Sequence, residues 1–107
     1  MFVDIIRAKD IERYCGTNES ILIDLRSSEL FEESHIPTAV NIPYEDIDDF
    51  IAFISQYKQV ILYCEKGNLS LLAARELDRV CQGRMYSITG GYNAYRQYQK
   101  LNYASMY

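Results

Sequence analysis

Only two prolines and five glycines punctuate the 107 residues. No Pro/Gly/Ser-rich linker, low-complexity tract or internal repeat with a period of about 20 to 50 residues occurs, which excludes a repeat array and a pair of linker-joined domains. Basic excess is also missing. Charged residues make up 24% of the chain and the formal net charge is −4, so the surface lacks the positive balance needed to bind nucleic-acid phosphates or an acidic membrane. The opening stretch meets Asp4 and a charged cluster from Arg7, so it reads neither as a signal peptide's apolar region nor as a membrane span, and a cytoplasmic location is expected. Close cysteine pairs are missing too. Cys15, Cys64 and Cys81 are odd in number and far apart, which fits neither a disulfide framework nor a zinc site and suits a reducing compartment. What remains is a chain that is 49% hydrophobic, enough for one compact core, and residues 1–107 read as a single domain.

Three short apolar runs stand out: Ile21 to Leu25, Ala39 to Ile42, and Val60 to Tyr63, with a weaker fourth at Met85 to Ile88. Nearly continuous apolar runs of this length suit strands covered on both faces of a parallel sheet. Between them lie helical spacings. Ile47, Phe50, Ile51 and Ile54 form one apolar stripe, and Leu69, Leu72, Ala73, Leu77 and Val80 form another, with Asn68 or Ser70 as caps and Gly83 closing it. Ala8, Ile11 and Cys15 suggest a first helix, and Tyr92 to Leu101 a last one. This alternation predicts an α/β sandwich with a mainly parallel central sheet and helices on both faces.

Ligands of open parallel sheets bind beyond the carboxyl ends of the strands. Cys64 sits at such an end, after strand residues 60 to 63, and Glu65, Lys66, Gly67, Asn68, Leu69 and Ser70 lead from it into the second stripe. A tight loop opening a helix turns backbone N–H groups inward and adds the positive end of the helix dipole, which favours an anion or a thiolate. Gly67 can take positive φ and let the backbone curl around a small ligand. The residues alone leave a second reading open, in which Cys64 is a small apolar side chain that ends a strand.

Leu62 to Ser70 resembles the active-site loop of the rhodanese superfamily. Two further stretches resemble it in the same order: Asp24-Leu25-Arg26 with Glu29-Leu30-Phe31 and His35 to Pro43, and Gly90-Gly91 before the last helix. The resemblance spans nearly the whole chain and implies a rhodanese-like three-layer sandwich. It further implies that Cys64 is the nucleophile of a double displacement, taking sulfane sulfur from a donor such as thiosulfate or a persulfide and passing it to a thiol acceptor or acceptor protein. The amides of residues 65–70 would surround that sulfur, with the Ser70 hydroxyl as a further donor, and neither metal nor organic cofactor is required. Asp24 and Arg26 would support the site as an ion pair or loop brace, or line it.

Two positions depart from the family's pattern. Leu69 stands where many active members carry Arg, and Glu65 where a basic residue is common. Losing the guanidinium removes a bidentate partner for sulfonate oxygens, and a carboxylate beside Cys64 would oppose the thiolate and repel a dianion, with Lys66 as a partial offset. A protein-bound or low-molecular-weight persulfide is then at least as good a donor as thiosulfate.

Some residues invite over-reading. His35, the only histidine, is expected to make a loop hydrogen bond rather than act as a base. Cys15 and Cys81 are expected to fill core. Tyr92, Tyr95, Tyr98, Tyr103 and Tyr107 cluster towards the end, mostly for packing, with a partner or self-association surface as the alternative. Glu45, Asp46, Asp48 and Asp49 read as a helix N-terminal turn and a solvated face, not a metal site.

Sulfur transfer through a Cys64 persulfide therefore competes with a catalytically inactive binding or regulatory module that keeps the loop as architecture. Phosphatase or arsenate-reductase chemistry ranks last, because Ser70 occupies the position of the arginine in their Cys-x5-Arg loop and cannot clamp phosphate oxygens.

Overall fold

The computed structural model describes residues 3–104, save for the side chains of the last two of these. Five strands, β1 (Val3–Ile6), β2 (Ser20–Asp24), β3 (Val40–Asn41), β4 (Gln59–Tyr63) and β5 (Arg84–Ile88), form one sheet in the order β1-β5-β4-β2-β3. Every pairing is parallel, so the expected mainly parallel sheet is parallel throughout the described residues. The helices are α1 (Ser28–Glu33), α2 (Ile51–Ile54), α3 (Asn68–Asp78) and α4 (Gly91–Ala104), with 3-10 turns at Ala8–Arg13 and Tyr44–Phe50.

β4 lies at the centre, between β5 and β2, and its side chains alternate between two cores. Val60, Leu62 and then Cys64 join Ile54, Ala73, Ala74 and Leu77 on the face covered by α2 and α3, whereas Ile61 and Tyr63 join Ala8, Ile11, Tyr92 and Tyr95 on the face covered by the first 3-10 turn and α4. A strand covered on both sides has no room for a polar face, which is why residues 60–63 read as an unbroken apolar run. The alternation also sets the site, because it sends Cys64 and Glu65 to opposite faces of the sheet.

Several elements differ from the periodicity. β1 was not expected: Asp4 interrupts it, and as an edge strand with Ile5 exposed it needs no continuous apolar run. Its Asp4 accepts a hydrogen bond from Arg84 Nε at 2.8 Å on the neighbouring strand. The run 39–42 supplies only two strand residues, since Pro43 follows and starts the next 3-10 turn. The stripe 47–54 is split at Phe50 (φ −113°, ψ 12°) into a 3-10 turn and the single turn of α2, and these bury Ile47 and Ile54. The first stripe is likewise a 3-10 turn, with Cys15 half-buried beyond its end. α1, also not expected, is announced by Ser27, whose side chain accepts from Leu30 N. Neither Asn68 nor Ser70 caps α3; Gly67 does. Gly83 does not close that helix either, since α3 ends at Asp78 in a tightened turn where the Val80 and Cys81 amides donate to Leu77 O. Of the tyrosine cluster, Tyr92 and Tyr95 are buried, while Tyr107 and the Tyr103 side chain lie outside the described residues.

The central strand should carry the stability. Leu62→Ala, at a fully buried β4 position, should lower the unfolding free energy by about 2–5 kcal/mol in urea titration. Leu101→Ala, at a position that is 72% exposed, should stay within about 0.5 kcal/mol.

Candidate functional site

Cys64 is the first residue past β4 and is itself buried. Gly67 N donates to its Sγ at 3.1 Å and Ser70 N at 3.4 Å. Asn68 Oδ1 lies 4.0 Å and Ser70 Oγ 3.7 Å from the sulfur. Two amides from the opening of α3 thus converge on one sulfur atom, where the helix dipole adds to them. Ser70, fully buried, holds its hydroxyl 3.1 Å from Gly67 O and shares a 2.8 Å contact with Ser87 Oγ. The hydroxyl thus lies within reach of Cys64 Sγ, Gly67 O and Ser87 Oγ at once, and its rotor can serve any of the three.

The loop holds this shape because its carbonyls are claimed elsewhere. Tyr92 N donates to Cys64 O at 2.8 Å and Asn93 N to Glu65 O at 3.1 Å, so the first amides of α4 fix the peptide planes of the loop. The approach is close enough that a Cβ on Gly91 would collide with Cys64 O, and Gly67 has φ 104°, where a side chain is strained. Gly91 of the Gly90-Gly91 pair is thereby explained: it lets a second helix terminus dock on the loop, while Gly90 has φ 75° and leaves no room for a Cβ beside Ala94.

Glu65 faces away from the sulfur. Its Oε1 lies 3.5 Å from Arg26 NH1, on the face of the sheet shared by Tyr63 and Tyr92. The expected electrostatic opposition between Glu65 and Cys64 is weakened accordingly, because alternation turns the carboxylate towards a guanidinium. Arg26 and Asp24 form a buried pair, with NH2 to Oδ2 at 2.8 Å and Nε to Oδ1 at 3.1 Å. Arg26 NH2 also donates to Ser34 O at 2.7 Å, and the guanidinium lies 4.0 Å over the Tyr92 ring. Burial opposes the Arg26 charge, but the hydrogen bond and charge of Asp24 outweigh it, so the guanidinium holds its proton more firmly than a free arginine. Tyr63, read from the sequence as plain core, is a polar hub. Its hydroxyl donates to Asp24 Oδ2 at 2.6 Å and accepts from Ile36 N at 3.1 Å. Burial and then the Asp24 hydrogen bond push that phenol far above its ordinary range.

The other candidates lie apart from this site. His35 is exposed, stacks on Phe31 and pairs its Nδ1 with Phe31 O at 2.8 Å. Cys81 lies in the core with Ser55 Oγ at 3.4 Å. Burial pushes the Cys15 thiol up to about 11. Cys15 lines a cavity of about 690 Å3 with Ile11, Leu22, Ile36, Tyr95 and Tyr98, and Cys64 is not among its walls. Glu45, Asp46, Asp48 and Asp49 are exposed around the second 3-10 turn. Lys66 is exposed on the loop, and Asn68 and Leu69 are exposed on the first turn of α3. Among the described residues no helix is long and apolar enough to cross a membrane.

A family model of the rhodanese-like domain matches residues 7–98. The chain belongs to the rhodanese-like domain family. Thiosulfate sulfurtransferase GlpE of Pseudomonas savastanoi pv. phaseolicola is 34% identical over 77 residues, covering 72% of this chain and 73% of its own. The tRNA sulfurtransferase of Desulfurococcus amylolyticus is 35% identical over 102 residues, and the match covers 88% of this chain but only 20% of that protein. The crystal structure of thiosulfate sulfurtransferase from Pseudomonas aeruginosa superposes with a TM-score of 0.80 at 18% identity, over 90% of this chain and 18% of that one, a likeness of fold. In this rhodanese-like domain, Cys64, Gly67 and Ser70 meet at the sulfur, while Asp24, Arg26 and Glu65 form a separate network behind the loop.

Two measurements check the network and the cysteines. Asp24→Asn removes the buried countercharge of Arg26 and leaves only the half-exposed Glu65, and should cost about 3–5 kcal/mol in urea unfolding, whereas Glu65→Gln, at that half-exposed pair, should cost no more than about 1 kcal/mol. The raised Cys15 value favours the neutral thiol in the folded state. Its contribution to stability is complete below the unfolded value of about 8.5 and is lost as pH rises through about 11. A Cys15→Ala variant should therefore show a shallower alkaline loss of stability than the natural chain across that window.

Proposed function

We propose that this domain transfers sulfane sulfur through a persulfide on Cys64. The convergence of the Gly67 and Ser70 amides on Cys64 Sγ carries the reading, because preorganised N–H donors stabilise the anionic sulfur both as a thiolate and as the terminal atom of a persulfide. The sulfurtransferase names of the two relatives point the same way. In the first step the Cys64 thiolate attacks the outer sulfur of the donor, forming an S–S bond as the donor's own bond to that sulfur breaks. With thiosulfate the products are the Cys64 persulfide anion and sulfite. In the second step an acceptor thiolate attacks the outer sulfur and takes it, releasing the Cys64 thiolate. No proton or electron is left over, so the residues present suffice without a cofactor. Asp24, Arg26 and Tyr63 act behind the loop as a brace, and Glu65 ties the loop to it. The unit works as one domain in a reducing compartment such as the cytoplasm, where a free nucleophilic cysteine persists.

Electrospray mass measurement after incubation with thiosulfate or glutathione persulfide tests the reading. The natural chain should gain one sulfur atom, mapped to Cys64 and removed by excess thiol, while Cys64→Ser should gain none. No gain from either donor would leave the inactive binding module as the better account. Brief iodoacetamide treatment at neutral pH should label Cys64 ahead of Cys15, whose burial keeps it as a poorly nucleophilic thiol.

A further inference from the structure

The amide cup holds the sulfur being transferred, so the rest of the donor must face the rim of the loop, and the rim is chemically lopsided. Arg26 is already committed to Asp24, Ser34 O and Glu65 and has no free fork for a substrate oxyanion. Lys66 is the only cationic side chain between residues 64 and 70. The first turn of α3, whose amides form the cup, presents Leu69, 41% exposed, and one turn on Leu72, 46% exposed. Spaced at i and i+3, they lie on one face of the helix and make an apolar strip that leads away from the cup. Ser70, between them, is buried, so its hydroxyl adds nothing polar to that strip.

We infer that Leu69 is a specificity-determining residue. The site takes a sulfane-sulfur donor whose leaving group presents an apolar surface and a single negative charge, in preference to a compact dianion such as thiosulfate. The inference rests on the persulfide reading of Cys64 and names the class of donor for it. An aryl thiosulfonate has the required form. Cys64 thiolate attacks its terminal sulfur, the new S–S bond forms, the bond between that sulfur and the sulfonyl group breaks, and an aryl sulfinate leaves with the electron pair. The aryl group of the leaving sulfinate packs on Leu69 and, where longer, on Leu72. A sulfite leaving group has no apolar face to bury there and no guanidinium to hold its oxygens.

The test compares p-toluenethiosulfonate with thiosulfate in single-turnover persulfidation of the full chain, read by mass spectrometry. Each rate is divided by that donor's rate with free cysteine to remove its intrinsic reactivity. The natural chain should prefer the aryl donor after this correction. Leu69→Arg should lower the preference by about tenfold or more, chiefly by raising the thiosulfate rate, and Leu69→Gln should lower the aryl rate without raising the other. Both variants change an exposed side chain, so an unaltered thermal midpoint is expected alongside. Sulfur transfer from both donors with a ratio that neither variant moves would overturn the role of Leu69 and leave the persulfide reading standing. No transfer from either donor would overturn both.

Discussion

The peptide planes of the loop after β4 are held from two sides, and the rest of the site depends on that clamp. The carbonyls of Cys64 and Glu65 accept from the first amides of α4, while the amides of Gly67 and Ser70, at the opening of α3, face the Cys64 sulfur. Two helix N-termini are spent on one short loop. Each supplies donors that have no partner within their own helix, and each adds the positive end of a dipole. The cost is steric: where α4 meets the loop only a residue without a Cβ fits, and Gly91 is that residue. The parallel sheet makes the arrangement possible, because it delivers the ends of β4 and β5 to the same edge, and α3 and α4 start from there.

Behind the loop, the fold buries a charge that it can keep only by pairing it. Asp24 is fully covered, and its carboxylate is met by the Arg26 side chain, the Arg26 amide and the Tyr63 hydroxyl. A buried ion of this kind adds little net stability compared with an apolar substitute, but removing one partner strands the others. Its value here is positional. Tyr63 is the last residue of β4, so the network joins the end of β2, the segment at Ile36 and the start of the Cys64 loop, and Glu65 extends it to the surface.

Much of this was legible in the residues. Near-continuous apolar runs identified β2 and β4, since strands covered on both faces leave no polar side to write into the sequence, and the stripe after residue 68 identified α3. The Cys64 loop was legible because its position after a strand and before a helix is local. The failures were equally physical. β1 escaped because an edge strand carries a weaker pattern, and the stripe from 47 to 54 became two short pieces because a change of backbone at Phe50 leaves the spacing of apolar residues intact. Tyr63 read as core because nothing in an apolar run announces that its hydroxyl will meet a buried aspartate.

The sequence by itself determined the alternation of strands and helices around the centre of the sheet, the place of Cys64 at a strand end and the glycine at 67 that its loop requires, since each follows from periodicity or from backbone freedom over a few neighbouring residues. Only the tertiary structure decided which way the loop's charges point. Glu65 adjoins Cys64 in the chain, yet strand alternation turns it towards Arg26, 39 residues away, and the packing of α4 against the loop turns the amides rather than the carbonyls towards the sulfur. Those directions depend on what lies on each face of the sheet, and faces exist only once distant segments have packed.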